Sequence, residues 1–368
     1  MRPEGTRTYL GDEARAREAC VRRLSELFAA WGYEPVELSA LEPFDPAHPN
    51  AERAFKLVDR TGDVLMLRSE FTTALIRALL AEGLPKGPAR FRYAGPLWLR
   101  EAPSELGRLR EFVQVGVELV GVSSPAADAE LLELAWAALE VAGVEGAVLE
   151  VGLPSFVRDT LEAARLPAEV TERLRRAVDK KAVPELVELL EAHGVKGRIR
   201  EAVLALPDLF GGREVLEEAR AHALSERAKL DLEWLEAVLA RLPAGIRLVF
   251  DLGMARRYDY YSGLTFRAFA PALGFPLLGG GRYDGAMVPF AAGFALGLER
   301  LLEAAGKLRR ERPVRYLAQT PELARRLRAE GKVVLLAHAE DELGMHEEAR
   351  AVGARFLALP DGVREVEP

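Results

Sequence analysis

Four stretches of the chain combine residue types that could do chemistry. From Arg110 to Val120 the pattern alternates, with Val113, Val115, Val117 and Leu119 on one face and Gln114, Gly116 and Glu118 on the other. The polar face is either the wetted side of an antiparallel sheet or, given partners from neighbouring strands, the wall of a binding site. Such partners are offered by Met254 to Gly263, which crowds Arg256, Arg257, Asp259 and the phenols of Tyr258, Tyr260 and Tyr261 ahead of a turn. Arginine suits a carboxylate or phosphate through its planar fork, whereas tyrosine hydroxyls and a carboxylate can orient a polar ring or an ammonium group. A surface strand is the plainer account of that cluster. Gly279 to Gly285 lacks the lysine-hydroxyl pair of a phosphate loop and the spacing of a dinucleotide fingerprint, so its glycines read as permitting close backbone approach. Gly293 to Leu301 reads as a glycine-spaced helix start, whose Arg300 either reaches a site or sits on a solvated face.

These residues need a scaffold. Between Asp12 and Trp31 the residues Cys20, Leu24, Leu27, Phe28 and Trp31 recur at spacings of three and four, one stripe of an amphipathic helix. Strands are predicted around Val36 to Leu38, at Phe55 to Val58 and Val64 to Leu67 with a turn at Arg60 to Asp63, at Ala89 to Tyr93 and at Arg110 to Val120. From about Phe156 to Leu242 short helical periods separated by Pro and Gly take over, among them Pro184 to His193, Gly197 to Ala205 and Ser225 to Ala240. Strands resume at Ile246 to Leu252, followed by a hairpin of Tyr258 to Tyr261 with Leu264 to Phe269 around Ser262-Gly263. After a charged linker from Lys307, strands at Arg315 to Leu317, Val333 to Ala337 and Ala354 to Leu359 alternate with helices at Pro321 to Glu330 and Glu340 to Val352, a small α/β module.

Composition bounds the function. A chain of 368 residues, 49% hydrophobic and 29% charged, is expected to fold into two or three domains rather than stay disordered. The start carries no apolar signal core, and the longest nearly apolar run, Ala286 to Leu298, is broken by Pro289 and Gly293 and too short for a bilayer, so a cytoplasmic protein without membrane association is expected. The single cysteine, Cys20, excludes an internal disulfide, and the five scattered histidines show no zinc-ligand spacing with it, so neither a metal nor a cofactor is expected. A net charge of −7 disfavours nucleic acid as a partner, although a local basic patch could hide within it.

In this order the motifs resemble the catalytic core of histidyl-tRNA synthetase, a class II aminoacyl-tRNA synthetase. Leu67-Arg68-Ser69-Glu70-Phe71-Thr72-Thr73 is similar to that family's Leu-Arg-Pro-Glu-Gly-Thr-Ala. Arg256 to Gly263 is similar to its Arg-Gly-Leu-Asp-Tyr-Tyr-Thr-Gly, Gly281 to Asp284 matches, and Gly293 to Arg300 resembles class II motif 3. The resemblance runs from about Gly5 to Leu302. It implies a histidine pocket in which Glu70 and Thr72 hold the α-ammonium with Gln114 nearby, Glu118 and Tyr261 reach the imidazole, Tyr260 and Tyr283 line the site, and Arg256 meets the carboxylate. It also implies that Arg100, Glu101 and Arg300 are what is left of a nucleotide site.

The departures carry information. Aligning Gly95-Pro96 with motif 2 puts Leu99 where the ATP-clamping arginine belongs, with Arg100 one position late on the opposite face of a strand. Losing that charge undermines stabilisation of a phosphoryl anion. The loop Ala102 to Arg108 gains an acid, Ser39 replaces the motif 1 proline, Arg257-Tyr258 replaces Gly-Leu, and the C-terminal module is short for an anticodon-binding domain. The chain therefore looks closest to the synthetase-like regulatory subunit of ATP phosphoribosyltransferase. That resemblance implies no catalytic residues, histidine as effector, the short catalytic subunit as partner, a homodimer within a hetero-octamer, and no tRNA. A working histidyl-tRNA synthetase, or a paralogue that adenylates an amino acid, is the alternative. The expected fold is α+β: a class II antiparallel sheet flanked by helices over residues 1–306, with a helical insertion at about 155–243, then a linker and α/β module over 307–368.

Overall fold

The apolar stripe behind Asp12 folds as helix α1 (Gly11–Ala30), which buries Cys20, Leu24 and Phe28 against the sheet that follows. In the computed structural model, which describes residues 3–100, 109–254, 261–271, 273–306 and 313–366, these residues fall into two compact units, one within Met1–Leu308 and the other within Arg309–Pro368.

The first unit continues through β1 (Glu34–Pro35), β2 (Leu41–Pro43), β3 (Lys56–Val58), β4 (Val64–Leu67), α2 (Thr72–Glu82), β5 (Ala89–Trp98), β6 (Glu111–Val120), α3 (Pro125–Val141) and β7 (Val148–Gly152). The hairpin of β3 and β4 forms about the predicted turn, and β2 joins it to make a three-stranded sheet. The first strand lies two residues earlier than the sequence pattern suggested, at Glu34–Pro35, and Val36 only extends its pairing with one bond to the Arg92 carbonyl. Helix α3 starts where Ser124 accepts a hydrogen bond from the Ala127 amide and Pro125 fills the first helical position.

The helical stretch read from periodicity resolves into α4 (Pro154–Glu162), α5 (Ala168–Asp179), α6 (Val183–Ala192), α7 (Gly197–Ala205), the two-residue β8 (Phe210–Gly211), α8 (Val215–His222) and α9 (Glu226–Leu239). Then come β9 (Leu248–Asp251), β10 (Thr265–Phe269), β11 (Leu278–Arg282), β12 (Ala291–Gly297) and α10 (Leu298–Ala304). Two expectations change here. The pairing for Leu264 to Phe269 does not come from Tyr261, because β10 has β7 on one edge and β11 on the other; Tyr258 to Tyr260 lie outside the described residues. Gly293 to Gly297 is strand rather than helix start, since Phe294 and Leu296 alternate into the core and the helix begins only at Leu298.

The main sheet has nine strands in the order β1-β5-β6-β12-β11-β10-β7-β9-β8. It is antiparallel except for the pairs β1 with β5 and β7 with β9, which are parallel. Helices α1, α3 and α10 cover one face, where Val115, Val117 and Leu119 of β6 meet Phe28, Leu132 and Leu301. The other face carries Gln114, Gly116 and Glu118, and it is not wetted as a two-layer sheet would be, because Glu118 is only 2% exposed.

In the second unit β13 (Arg315–Ala318) lies between β14 (Val333–Leu336) and β15 (Phe356–Leu359), both parallel to it, with β16 (Gly362–Glu365) antiparallel at the edge. Helices α11 (Pro321–Ala329) and α12 (Glu342–Ala351) pack on opposite faces. Among the described residues no helix is long and apolar enough to cross a membrane.

Phe28 is fully buried and meets Phe294 edge-on, with ring centroids 5.9 Å apart, so it ties α1 to the strand behind the polar face. Phe28→Ala is expected to destabilise the first unit by about 3–5 kcal/mol, read as a lower urea midpoint by circular dichroism.

Candidate functional site

Strand register brings the polar residues of β6 under glycines of its neighbours. Glu118 lies between Phe91 of β5 and Gly293 of β12, and Gly116 between Tyr93 and Ala295. A Cβ at Gly293 would collide with the Glu118 carboxylate, and one at Gly116 would come within 2.6 Å of the Tyr93 ring and hydroxyl. Both glycines are therefore the space in which the site is built. Above this face lies a cavity of about 1080 Å³, closed on another side by the start of α2 and by the segment around His48 and Asn50.

At its floor Glu118 accepts three hydroxyl hydrogen bonds from three separate parts of the fold. Thr72 donates to Oε1 at 2.6 Å and Tyr93 to the same oxygen at 3.4 Å, while Tyr283 donates to Oε2 at 2.7 Å. Burial nonetheless pushes the Glu118 carboxyl up to about 7, with the nearby Glu70 adding to the rise and the Thr72 and Tyr283 hydroxyls opposing it. The phenols of Tyr93 and Tyr283 are pushed well up in turn, first by burial and then by the Glu118 charge.

Glu70 precedes α2, and its Oε1 accepts the Thr73 amide at 2.8 Å, so the carboxylate faces the positive end of the helix dipole. Burial raises its carboxyl, against that bond. The imidazole of His48, whose side chain is fully buried, lies with Nε2 3.6 Å from the same oxygen. Its Nδ1 accepts the Asn50 amide at 3.0 Å, which puts the proton of the neutral ring on Nε2, facing Glu70. Burial and the Arg77 charge lower its pKa, so the ring stays neutral near pH 7.

The structure brings Glu70, Thr72, Gln114, Glu118, Tyr261 and Tyr283 together on the wall of this one cavity. Thr72 is nearer in role to Glu118 than to Glu70, because its hydroxyl is given to the Glu118 carboxylate. Arg300 also lines the cavity, and its Nη1 donates to the Pro276 carbonyl at 2.5 Å. Arg100 is not brought in. Strand alternation turns Leu99 inward, where it is 4% exposed beside Phe71, Tyr93, Leu97 and Phe112, and leaves Arg100 exposed with its guanidinium donating to the Glu52 carbonyl at 3.2 Å. Glu101, Arg256 and Tyr260 lie outside the described residues.

Two residues that the motifs did not indicate belong to the site. Tyr93 could have been found from the strand, since it faces Gly116 across the ladder. His48 had no such signal, because it sits in an irregular stretch between Pro46 and Pro49 without periodicity.

The raised Glu118 carboxyl has a stability consequence. The folded state holds a proton there that the unfolded chain has already released, so this residue's contribution is fully present below about pH 4.5 and is lost as pH rises through about 7. Compared with Glu118→Gln, the wild-type protein is expected to lose urea resistance over that interval, and a difference between the two midpoints that stays constant with pH would contradict the assignment.

The family model described as histidyl-tRNA synthetase matches residues 5–301. The ATP phosphoribosyltransferase regulatory subunit of Thermus thermophilus is 54% identical over 367 residues, covering 100% of this chain and 99% of that one. That of Deinococcus radiodurans is 47% identical, covering 100% and 90%. Among solved structures, an ATP phosphoribosyltransferase regulatory subunit/histidyl-tRNA synthetase from Bacillus halodurans superposes with a TM-score of 0.82 at 26% identity, covering 97% of both chains. A histidyl-tRNA synthetase from Nostoc superposes with a TM-score of 0.79 at 19% identity and supports the fold. A class II sheet whose cavity holds a buried, hydroxyl-bonded carboxylate and Leu99 at the motif 2 position thus sits in a chain that belongs to the ATP phosphoribosyltransferase regulatory subunits, within the histidyl-tRNA synthetase-like fold.

Proposed function

We propose that this chain is a non-catalytic subunit that binds histidine in the cavity and activates a short ATP phosphoribosyltransferase catalytic subunit, making the first step of histidine biosynthesis responsive to its end product. The observation that carries the reading is the contrast between the two ends of the cavity. At one end a buried carboxylate is held by three hydroxyls; at the other, the motif 2 position is the buried Leu99.

Histidine fits the first end. Its ring can donate N–H to Glu118, a buried carboxyl that burial pushes up and that an incoming N–H donor or cation would favour in its charged form. Its ammonium group finds the Glu70 carboxylate, steadied by the Thr73 amide and facing His48 Nε2–H. Gln114 lines the same cavity, and on the family pattern Arg256 neutralises the α-carboxylate, with Tyr260 and Tyr261 in the same pocket. The second end supports loss of adenylation, because an apolar side chain offers nothing to a developing phosphoryl charge.

On this reading residues 1–306 form the sensing core, residues 307–368 add the linker and α/β module, and the chain works in the cytoplasm as a homodimer within a hetero-octamer, without tRNA. Histidine inhibition is then a coupling between this cavity and a catalytic site on another chain. One observation favours the alternative of an amino-acid-adenylating ligase, which is that Arg300 still lines the cavity.

The test is phosphoribosyltransferase activity of the short catalytic subunit, alone and with this protein, as histidine is titrated. Activity should require this chain and fall with histidine, and histidine-dependent ATP–pyrophosphate exchange should be absent; exchange without activation would establish the ligase instead. Glu118→Ala should weaken histidine binding by roughly 1–3 kcal/mol, about 5- to 150-fold by calorimetry, because a buried ring N–H loses its acceptor.

A further inference from the structure

Arg282 and Tyr283 are consecutive, so their side chains leave the end of β11 on opposite faces of the sheet. Tyr283 points to Glu118 in the cavity. Arg282 points the other way, into a buried network that ends on the helical insertion. Its Nε and Nη2 donate to Asp128 Oδ1 at 2.9 and 2.6 Å, and its Nη1 donates to the Val122 carbonyl at 3.1 Å and to Asp284 Oδ1 at 2.9 Å. Asp284 also accepts the Ala291 amide and the Ser123 hydroxyl. The second oxygen of Asp128 accepts the indole N–H of Trp234, on α9, at 2.7 Å. The guanidinium carbon lies 5.9 Å from the centre of that indole.

Arg282 and Asp128 are 4% and 2% exposed. A buried ion pair of this kind is costly to desolvate, and apolar residues of the same volume often serve stability as well or better. What it supplies is position. Four of the five guanidinium N–H groups and both Asp128 oxygens are engaged, so a shift of the strand end bearing Tyr283 would move the contact at Trp234 as well.

We infer that Trp234 and Asp128 are positioning residues for the amino-acid pocket, linking the hydrogen bond between Tyr283 and Glu118 to helix α9 of the insertion. The two arrangements are the Tyr283 hydroxyl given to Glu118, as the structure has it, and the same hydroxyl displaced when a ligand N–H takes that oxygen. The second arrangement rests on the histidine reading above; the network itself does not.

The experiment uses the full chain labelled with 5-fluorotryptophan, whose four tryptophans, Trp31, Trp98, Trp136 and Trp234, each give a fluorine resonance. Trp234→Phe assigns the signal. As histidine is titrated to saturation, with calorimetry as the independent measure of occupancy, the Trp234 resonance should move while those of Trp31 and Trp136 stay. In Tyr283→Phe, saturated at higher histidine, it should stay too. Trp234→Phe and Tyr283→Phe should each weaken binding several-fold, and the double variant by less than the product of the two. Asp128→Asn, which keeps the volume, should weaken binding in the same way and stands in if Trp234→Phe does not fold. A stationary Trp234 signal at full occupancy, or losses that multiply, would overturn the inference; a purely structural tryptophan would lower the melting temperature and leave affinity alone. If calorimetry finds no histidine binding, the functional reading fails, and the coupling is decided by the proton. The Trp234 resonance should then titrate near pH 7 in the wild-type protein and not in Glu118→Gln, and a flat wild-type profile would refute the coupling.

Discussion

Water reaches almost none of the Glu118 carboxylate, so the protein must supply the solvation that water would have given, and much of the first unit is arranged to do so. The three hydroxyls come from the first turn of α2, the middle of β5 and the residue after β11, elements separated by long stretches of sequence. Each must arrive at the right depth, which requires glycine at 293 and 116 where any side chain would displace the carboxylate or the Tyr93 ring. Among the described residues, the helices on the far face give no hydrogen bond to this carboxylate, though α3 supplies Asp128 to Arg282 behind it. Their role is to hold the register of β6 against β5 and β12, and so to keep Glu118 opposite the glycine.

The cavity is asymmetric in how its charges are employed. Near Glu118 and Glu70 the burial of acids is only partly offset by neutral donors, an environment that favours an incoming cation or a strong N–H donor. Two of the arginines that line the cavity are turned to the protein's own acceptors. Arg267 pairs with Glu150, and Arg300 donates to the Pro276 carbonyl. The Leu99 cluster adds hydrocarbon to the wall through Leu97, Leu99 and Phe112.

Much of this was legible in the residues, and what was not has a physical explanation. The period of two from Val113 to Leu119 sorted the strand's faces correctly, but whether the polar face is wet depends on what covers it, and α2 and the His48 segment come from elsewhere in the chain. The hairpin expected about Ser262-Gly263 illustrates the same limit. Turn chemistry is local, whereas the partners of β10 are β7, about 115 residues earlier, and β11, which arrives after an intervening loop. Gly293 to Gly297 misled because glycine-spaced apolar residues suit a tightly packed strand as well as a helix. The edge strand β16 is exposed at all four positions and so carries no alternation to read. His48 shows the hardest case, a buried ring positioned by a neighbouring amide, since irregular backbone has no period from which burial could be inferred.

The parallel pairing of β7 with β9 gives the helical segment a different standing from that of an appendage. Two parallel neighbours cannot be joined by a tight turn; the chain must travel back the full length of the strand before it can run alongside in the same direction. Everything from α4 to α9 makes that return journey, leaving from Gly152 and coming back at Leu248. Excising its helices to a short loop would strand β9 and take β8 with it. The region is therefore obligatory in topology, and where α9 passes behind the sheet Trp234 ties it to Asp128 as well.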